Sequence, residues 1–156
     1  PLGVNLPVLP VKGEMFSVLS PTPLVQKTIF NEHCYLVPKR GGRLLVGATM
    51  IEGEQSRTVS FGGIQALMER AKALLPAIAD TEWERAWSGL RPQTADGLPI
   101  LGQHPNLPGV WIAAGHFRNG ILLSPVTGKW IAESISGEKS DAHQLDASTF
   151  RPDRFH

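Results

Sequence analysis

The sequence predicts an α+β fold, with an antiparallel or mixed sheet covered by one packing helix and followed by a C-terminal strand, loop and helix. Sixteen glycines and thirteen prolines among 156 residues break the chain into short elements joined by tight turns. Two β-rich runs flank Gly41-Gly42, as in a hairpin. Near the end, an apolar run over residues 110–114 leads through a polar loop into a helical pattern over residues 121–135.

Composition excludes several classes of protein. A hydrophobic content of 42% is enough for a core, and 15 basic against 14 acidic residues form no charged block, so we expect neither nucleic acid nor a membrane as partner. No apolar run reaches the ~18 residues of a spanning helix, and no signal peptide opens the chain. Cys34 is the only cysteine, which excludes an internal disulfide and favours the cytoplasm. We predict no metal site, because the five histidines are scattered.

The first third of the chain contains strands. Residues 1–10 form an extended opening segment with three prolines, and strands are predicted over residues 11–20 and 24–30. The hairpin joins residues 34–38 to residues 43–50. Tyr35 and Met50 lie at its open end, where both could face the same side of the sheet.

The middle of the chain contains one helix and one strand. Apolar residues at helical spacing predict an amphipathic helix over residues 64–75, with Ser60 as its N-cap and Pro76 as its stop. Alternating residues over 81–90 predict a strand that ends at Arg91-Pro92, so that Arg91 lies at the mouth of the sheet. A turn and a short apolar run over residues 100–102 follow.

The last part contains the stretch around which the chain is organised. We expect a buried, parallel strand over residues 110–114. Gly115 and Gly120 bracket the loop and allow positive φ and a close approach of the backbone to a ligand. Ser124 is the predicted N-cap, with Pro125 at the first helical position. Such a loop aims backbone N–H groups and the helix dipole at an anion or an electron-rich ring oxygen, although an ordinary surface loop is an equal alternative. Residues 136–156 should lie along the surface, anchored by Leu145, Phe150 and Phe155.

Few residues are candidates for a catalytic or ligand-binding role. The sequence contains no dinucleotide-binding glycine motif, Walker loop, nucleophile elbow or zinc-protease motif, and no paired acid and base. The remaining candidates are anion-binding groups at turn positions: Arg91, Arg118 and Tyr35. An arginine fork pairs with a carboxylate through two hydrogen bonds, and a tyrosine hydroxyl can donate a third.

Three motifs together carry a resemblance to a known family. They are Trp-Ser-Gly-Leu-Arg-Pro at residues 87–92, Asp-Gly-Leu-Pro-Ile-Leu-Gly at residues 96–102, and Ala-Gly-His-Phe-Arg-Asn-Gly-Ile-Leu-Leu-Ser-Pro at residues 114–125. In this order they resemble the C-terminal part of the FAD-dependent D-amino-acid oxidase superfamily, over about residues 11–135. Within it, the third motif, along with Tyr-Leu-Val-Pro at residues 35–38 and Gly-Ala-Thr-Met at residues 47–50, is most similar to the glycine oxidases of thiamin biosynthesis.

The resemblance implies a division of the chain. Residues 11–91 would be part of a substrate-binding domain, and residues 92–156 would be the C-terminal part of a flavin-binding, Rossmann-like domain. Members of the family begin with a glycine-rich strand-turn-helix that holds the FAD pyrophosphate, and this chain has none. We therefore expect about the C-terminal two-fifths of such an enzyme, with an incomplete FAD site and a missing N-terminal half as its partner.

The resemblance also implies roles for particular residues. Arg91 would bind the substrate carboxylate, and Tyr35 would donate a hydrogen bond to it. Arg118 would line the amine side of the pocket, and Met50 would exclude larger substrate side chains. The flavin ring would contact the loop residues His116, Phe117, Arg118, Asn119, Gly120, Ile121 and Leu122. No residue is expected to act as a catalytic base.

The activity implied is the oxidation of glycine or a small amine to glyoxylate, ammonia and H₂O₂, for the thiazole of thiamin, by a homo-oligomer. Two alternatives stay open. One is a related flavoenzyme that acts on sarcosine or a D-amino acid. The other is a truncated, inactive folded fragment.

Overall fold

The computed structural model describes residues 6–137 and 147–155, which fall into two units. Residues 10–90 form the first, called here the sheet unit. The described residues before Pro10 and from Arg91 onward form the second, called the C-terminal unit. Leu145 and residues 1–5 of the opening segment lie outside the described residues.

Both units mix strands and helices, which confirms the α+β prediction. The elements before Ala95 are β1 (Val8–Leu19), β2 (Ile29–Phe30), β3 (Tyr35–Pro38), β4 (Arg43–Gly47), β5 (Ile51–Glu52), α1 (Phe61–Leu74), a 3₁₀ turn (Pro76–Asp80) and β6 (Glu82–Thr94). The later elements are β7 (Ile100–Gln103), β8 (Trp111–Ala114), α2 (Gly120–Ser136) and a 3₁₀ turn (Ala147–Phe150). The larger sheet has the order β2-β3-β4-β1, and both β5 and β6 also pair with β1.

The β3–β4 hairpin forms around Gly41-Gly42 as predicted, because both glycines adopt φ above +70°. A Cβ on Gly42 would lie 2.2 Å from the Ser20 carbonyl oxygen, so no larger residue fits there. The strand predicted over residues 24–30 is wrong except for Ile29–Phe30. Leu24 and Val25 instead pack against the core from a segment without strand structure.

The core of the sheet unit lies between the sheet and α1. It includes Phe16, Leu36 and Val46 from the strands and Leu67 and Ala71 from the helix. Ser60 caps α1 as predicted, since its hydroxyl accepts a hydrogen bond from the Gly63 N–H at 3.1 Å. Helix α1 ends at Leu74, just before Pro76 starts the 3₁₀ turn.

Strand β6 is longer than predicted. It continues through Arg91 and Pro92 to Thr94, and the turn follows at Ala95. Proline removes a donor but keeps its carbonyl, so a strand can continue through it where only an acceptor is needed. The Pro92 carbonyl supplies that acceptor to the Phe117 N–H. Arg91 therefore lies within a strand and not in a turn.

The strand over residues 110–114 was predicted to be parallel, and this is wrong. Strand β8 pairs antiparallel with β7, with Ile100 opposite Ala114. A connection of seven residues is too short for a parallel crossover, which takes a dozen or more. Of the β8 residues only Ile112 is buried, so the expectation of a buried strand also fails.

Helix α2 begins at Gly120 with Asn119 as its N-cap, so the prediction of Ser124 as cap is wrong, and Pro125 lies inside the helix. Pro125 has no N–H for the Ile121 carbonyl. The Ser124 hydroxyl donates to that carbonyl instead, at 2.9 Å, which explains why the helix can continue through the proline.

Within described residues 147–155, an ion pair ties the chain to the turn after β6. The Arg154 guanidinium pairs with the Asp96 carboxylate at 2.8 Å and also donates to the Leu98 carbonyl at 2.8 Å. Phe150 and Phe155 are half-buried, in keeping with their predicted role as anchors.

Candidate functional site

The loop over residues 115–119 joins β8 to α2 and requires a glycine at its start. Gly115 has φ +78°, and a Cβ there would lie 2.5 Å from Cγ2 of Thr94. Thr94 is only 1% exposed, so it has little room to move. Gly115 thus uses the positive φ that glycine allows. Gly120 does not adopt it, because the residue that turns the chain is Phe117, with φ +50°.

Backbone hydrogen bonds tie this loop to the end of β6. The Phe117 N–H donates to the Pro92 carbonyl at 2.9 Å, and Gln93 forms an isolated antiparallel bridge with His116. Arg91 immediately precedes Pro92, and Arg118 immediately follows Phe117. One backbone hydrogen bond therefore joins the chain next to Arg91 to the chain next to Arg118, although these arginines are 27 residues apart in sequence.

The first turn of α2 presents backbone donors. Its first helical bond runs from the Leu123 N–H to the Asn119 carbonyl at 2.8 Å. The N–H groups of residues 120–122 therefore have no acceptor within the helix. Asn119 gives no side-chain cap, and the first turn contains no acidic residue. Ile121 is 94% exposed and Leu122 is 77% exposed. Donors and the positive end of the helix dipole can therefore reach a negatively charged group.

The His116 side chain turns from the loop toward α2. Its Nε2 shares a hydrogen bond of 3.0 Å with the Thr127 hydroxyl, and burial lowers the pKa of His116 below its usual value. Burial therefore favours the neutral form of the imidazole. Positive potential at the loop comes from the helix start and the exposed Arg118, whose guanidinium lies 5.4 Å from the Phe117 ring centroid.

Two of the predicted site residues belong to the sheet unit. Tyr35 pairs with Gly47 across the hairpin, and a Cβ on Gly47 would lie 2.3 Å from the Tyr35 hydroxyl. The glycine thus leaves space for the ring to cross β4. Met50 lies between β4 and β5 and is 53% exposed. Arg91, Arg118 and the loop belong to the C-terminal unit.

Sequence reasoning missed a buried polar cluster in the sheet unit. Glu14 is fully buried; its carboxylate accepts from the Ser60 N–H at 2.8 Å and pairs with Lys12 at 3.1 Å. Burial alone would raise the pKa of Glu14, but the bonds from Ser60 and Lys12 outweigh it and hold the pKa below its usual value. Thr49 bonds to the Glu14 backbone. Two charged residues on one face of an apolar strand, at residues 12 and 14, were the available signal.

The described residues contain no cluster of three or more His, Cys, Asp or Glu side chains that could hold a metal ion. In the same part of the chain, no helix combines the length and the apolar character needed to cross a membrane.

The chain is similar to known glycine oxidases. It is 51% identical to the glycine oxidase of Geobacillus kaustophilus, over 89% of this chain and 37% of that protein. It is 48% identical to the glycine oxidase of Bacillus subtilis, over 98% of this chain and 41% of that protein. The crystal structure of the Geobacillus kaustophilus glycine oxidase superposes with a TM-score of 0.90 at 49% identity, covering 98% of this chain and 41% of that one.

These relatives are longer than this chain, which spans about two fifths of their length. The family described as FAD dependent oxidoreductase matches residues 1–134, which is most of the chain. The chain therefore belongs to the FAD-dependent oxidoreductase family.

Proposed function

We propose that the protein containing this chain is an FAD-dependent oxidase of glycine or a similarly small amine. The overall reaction converts glycine, O₂ and water into glyoxylate, ammonia and H₂O₂. The observation that carries the proposal is the Pro92–Phe117 backbone bond, which joins the residue after Arg91 to the residue before Arg118, close in the chain to the start of α2. The glycine oxidases that the chain resembles support the choice of substrate.

The start of α2 fits the ring end of a flavin. Its N–H groups have no side-chain cap and meet no acidic residue in the first turn, and such donors suit the negative charge that a reduced ring carries. FAD, when bound, supplies the acceptor for the two electrons that leave the substrate. We assign residues 116–122 to the ring and none to the pyrophosphate, because the sequence contains no glycine-rich dinucleotide motif.

The substrate carboxylate is assigned to Arg91. Because β6 continues through this residue, its backbone is held by a strand, which limits the freedom that must be lost on binding. A guanidinium fork gives the carboxylate two parallel hydrogen bonds, and Tyr35 adds a third donor. Arg118 is assigned to the amine side. Its positive charge favours a neutral substrate amine, so no base is needed from the chain.

Met50 is assigned to the wall that limits the substrate side chain. We also propose that the protein is a cytoplasmic homo-oligomer that serves thiamin thiazole synthesis. The buried Cys34 and the absence of any other cysteine in the sequence are compatible with a reducing compartment.

The decisive experiment replaces Arg91 in the protein that contains the whole FAD site. Arg91→Ala should lower kcat/KM for glycine on the order of a hundredfold, mainly through KM, because the carboxylate loses a bidentate partner. Flavin absorbance should be unchanged. Arg85→Ala is the matched control, since Arg85 lies on the same strand, is exposed and contacts Trp87.

Each other outcome removes part of the proposal. Unchanged glycine kinetics in Arg91→Ala would remove Arg91 from the substrate site. A wild-type protein that oxidises sarcosine or D-amino acids far better than glycine would replace the substrate. A wild-type protein with no flavin absorbance and no oxidase activity would leave the folded, inactive fragment as the answer.

A further inference from the structure

An extra residue interrupts the sheet beside β1. Met15 of β1 pairs with Gly47 of β4, and Lys12 pairs with Ile51 of β5. Between these two pairs, residues 13–14 of β1 therefore face residues 48–50 on the other side. Residues 48–50 thus contain one residue more than the segment of β1 that they face, which is a β-bulge, and Met50 is the last residue of the longer side.

Thr49 closes this bulge with its side chain. The Glu14 N–H donates to the Thr49 hydroxyl oxygen at 2.8 Å, and the Thr49 N–H donates to the Glu14 carbonyl at 3.1 Å. Glu14 is fully buried and Thr49 is 8% exposed. In a regular ladder a backbone carbonyl would accept the first of these bonds. The hydroxyl takes its place where the extra residue displaces the backbone.

Side chains anchor the β1 side of the bulge. Glu14 is held through its carboxylate by the Ser60 N–H at the start of α1 and by buried Lys12. Met50, on the other side, is about half exposed and does not belong to the core. The direction of the Met50 side chain therefore depends on the backbones of its two neighbours. Ile51 pairs with Lys12 in the sheet, and Thr49 bonds to the Glu14 backbone.

We propose that Thr49 is a positioning residue. Its hydroxyl holds the backbone of the bulge in place, and this backbone orients the Met50 side chain, which limits the size of the substrate side chain. This inference rests on the proposed function, in which Met50 walls the substrate. Thr49 does not itself contact substrate. It acts through the backbone that it shares with Met50.

Thr49→Val and Thr49→Ser test the inference in the FAD-containing protein. Valine keeps the shape of threonine but leaves the buried Glu14 N–H without its acceptor, whereas serine keeps the acceptor. Thr49→Val should move the ratio of kcat/KM for D-alanine over glycine by about tenfold toward D-alanine, the lower end of the range for one methylene in a pocket. Thr49→Ser should stay near the wild-type ratio.

A second measurement does not depend on catalysis. Amide hydrogen exchange, followed by NMR, should show a slowly exchanging Glu14 N–H in the wild type and in Thr49→Ser. In Thr49→Val this N–H should exchange at least about tenfold faster, because its hydrogen bond is lost. If Thr49→Val does not fold, Thr49→Ala removes the same hydroxyl without adding volume, and the same two results are expected.

Met50→Gly separates failure of this inference from failure of the proposed function. A shift toward D-alanine in Met50→Gly with an unchanged ratio in Thr49→Val overturns the positioning role and leaves Met50 as the wall. An unchanged ratio in Met50→Gly overturns the wall and the inference together. Equal shifts in Thr49→Ser and Thr49→Val also overturn the inference, since the hydroxyl would then be irrelevant.

Discussion

Replacing Gly115 by alanine tests whether the loop at the start of α2 depends on close contact with the strand beneath it. An alanine at φ +78° adopts a left-handed conformation, which costs about 1–2 kcal/mol. Its Cβ would also lie 2.5 Å from Cγ2 of buried Thr94, and relieving such overpacking costs about 1–3 kcal/mol more. We therefore expect Gly115→Ala to lose about 2–5 kcal/mol of unfolding free energy.

Two further variants separate the contributions. Gly109 has φ +80°, but a Cβ on it would meet no atom within 4 Å, so Gly109→Ala should lose only the backbone cost of about 1–2 kcal/mol. Thr94→Ser removes Cγ2 and keeps the hydroxyl, which donates to the Leu98 carbonyl at 2.7 Å. Gly115→Ala should lose more unfolding free energy than Gly109→Ala. In the double variant of Gly115→Ala with Thr94→Ser, most of this extra loss should be recovered.

Urea unfolding of the four variants and the wild type gives these free energies, and a double-mutant cycle isolates the coupling between Gly115 and Thr94. The expected coupling is about 1–3 kcal/mol in favour of the double variant. If Gly115→Ala is no less stable than Gly109→Ala, or if the coupling is zero, the loop does not rest on Thr94 and the reasoning is refuted.

Two more variants test the C-terminal unit. Hydrogen bonds from Arg154 hold the pKa of Asp96 at about 2, below its usual 3.8. The ionised carboxylate therefore stabilises the folded state. This stabilisation is complete above the unfolded-state pKa and is lost as the pH falls through the folded-state pKa. Thermal melts between pH 5 and pH 2 should therefore show a steeper fall in Tm for the wild type than for Arg154→Met, and equal slopes would contradict the pairing. Ser124→Ala should lower the unfolding free energy by about 0.5–1.5 kcal/mol, since the Ile121 carbonyl loses the donor that replaces the missing Pro125 N–H. Ser134→Ala should cost less when both are compared by urea unfolding, because the Trp130 carbonyl that its hydroxyl contacts is also in reach of a helical N–H; an equal loss in both would remove the compensating role of Ser124.

Local patterns were sufficient where neighbours in sequence supply the interactions. The hairpin at Gly41-Gly42 needs positive φ, and glycine provides it without reference to the rest of the chain. Helix α1 begins after Ser60 because the cap and its acceptor bond lie within three residues. The sequence motifs also led to the family without any structural information, since the order and spacing of the motifs are properties of the chain itself.

Other features depend on partners that are distant in sequence. Strand β6 could not be extended past Pro92 on local rules, because its continuation depends on the Phe117 N–H, 25 residues later. The start of α2 was placed at Ser124 because proline usually marks a first turn, whereas a hydroxyl donor allows Pro125 to lie inside. The bulge at Thr49 could not be predicted from the sequence for the same reason. It depends on a register that only the pairing of β1 with β4 and β5 defines.

The sequence by itself determined the turns, the capped helix, the hairpin and the family, because each depends on residue types at short or fixed spacing. Only the tertiary structure decided the antiparallel pairing of β8, the site of the bulge beside Met50 and the joining of the Arg91 strand to the Arg118 loop. Each of these is a choice among hydrogen-bond partners far apart in the chain. Which partner is chosen depends on the packing of all the elements together, and no local pattern records it.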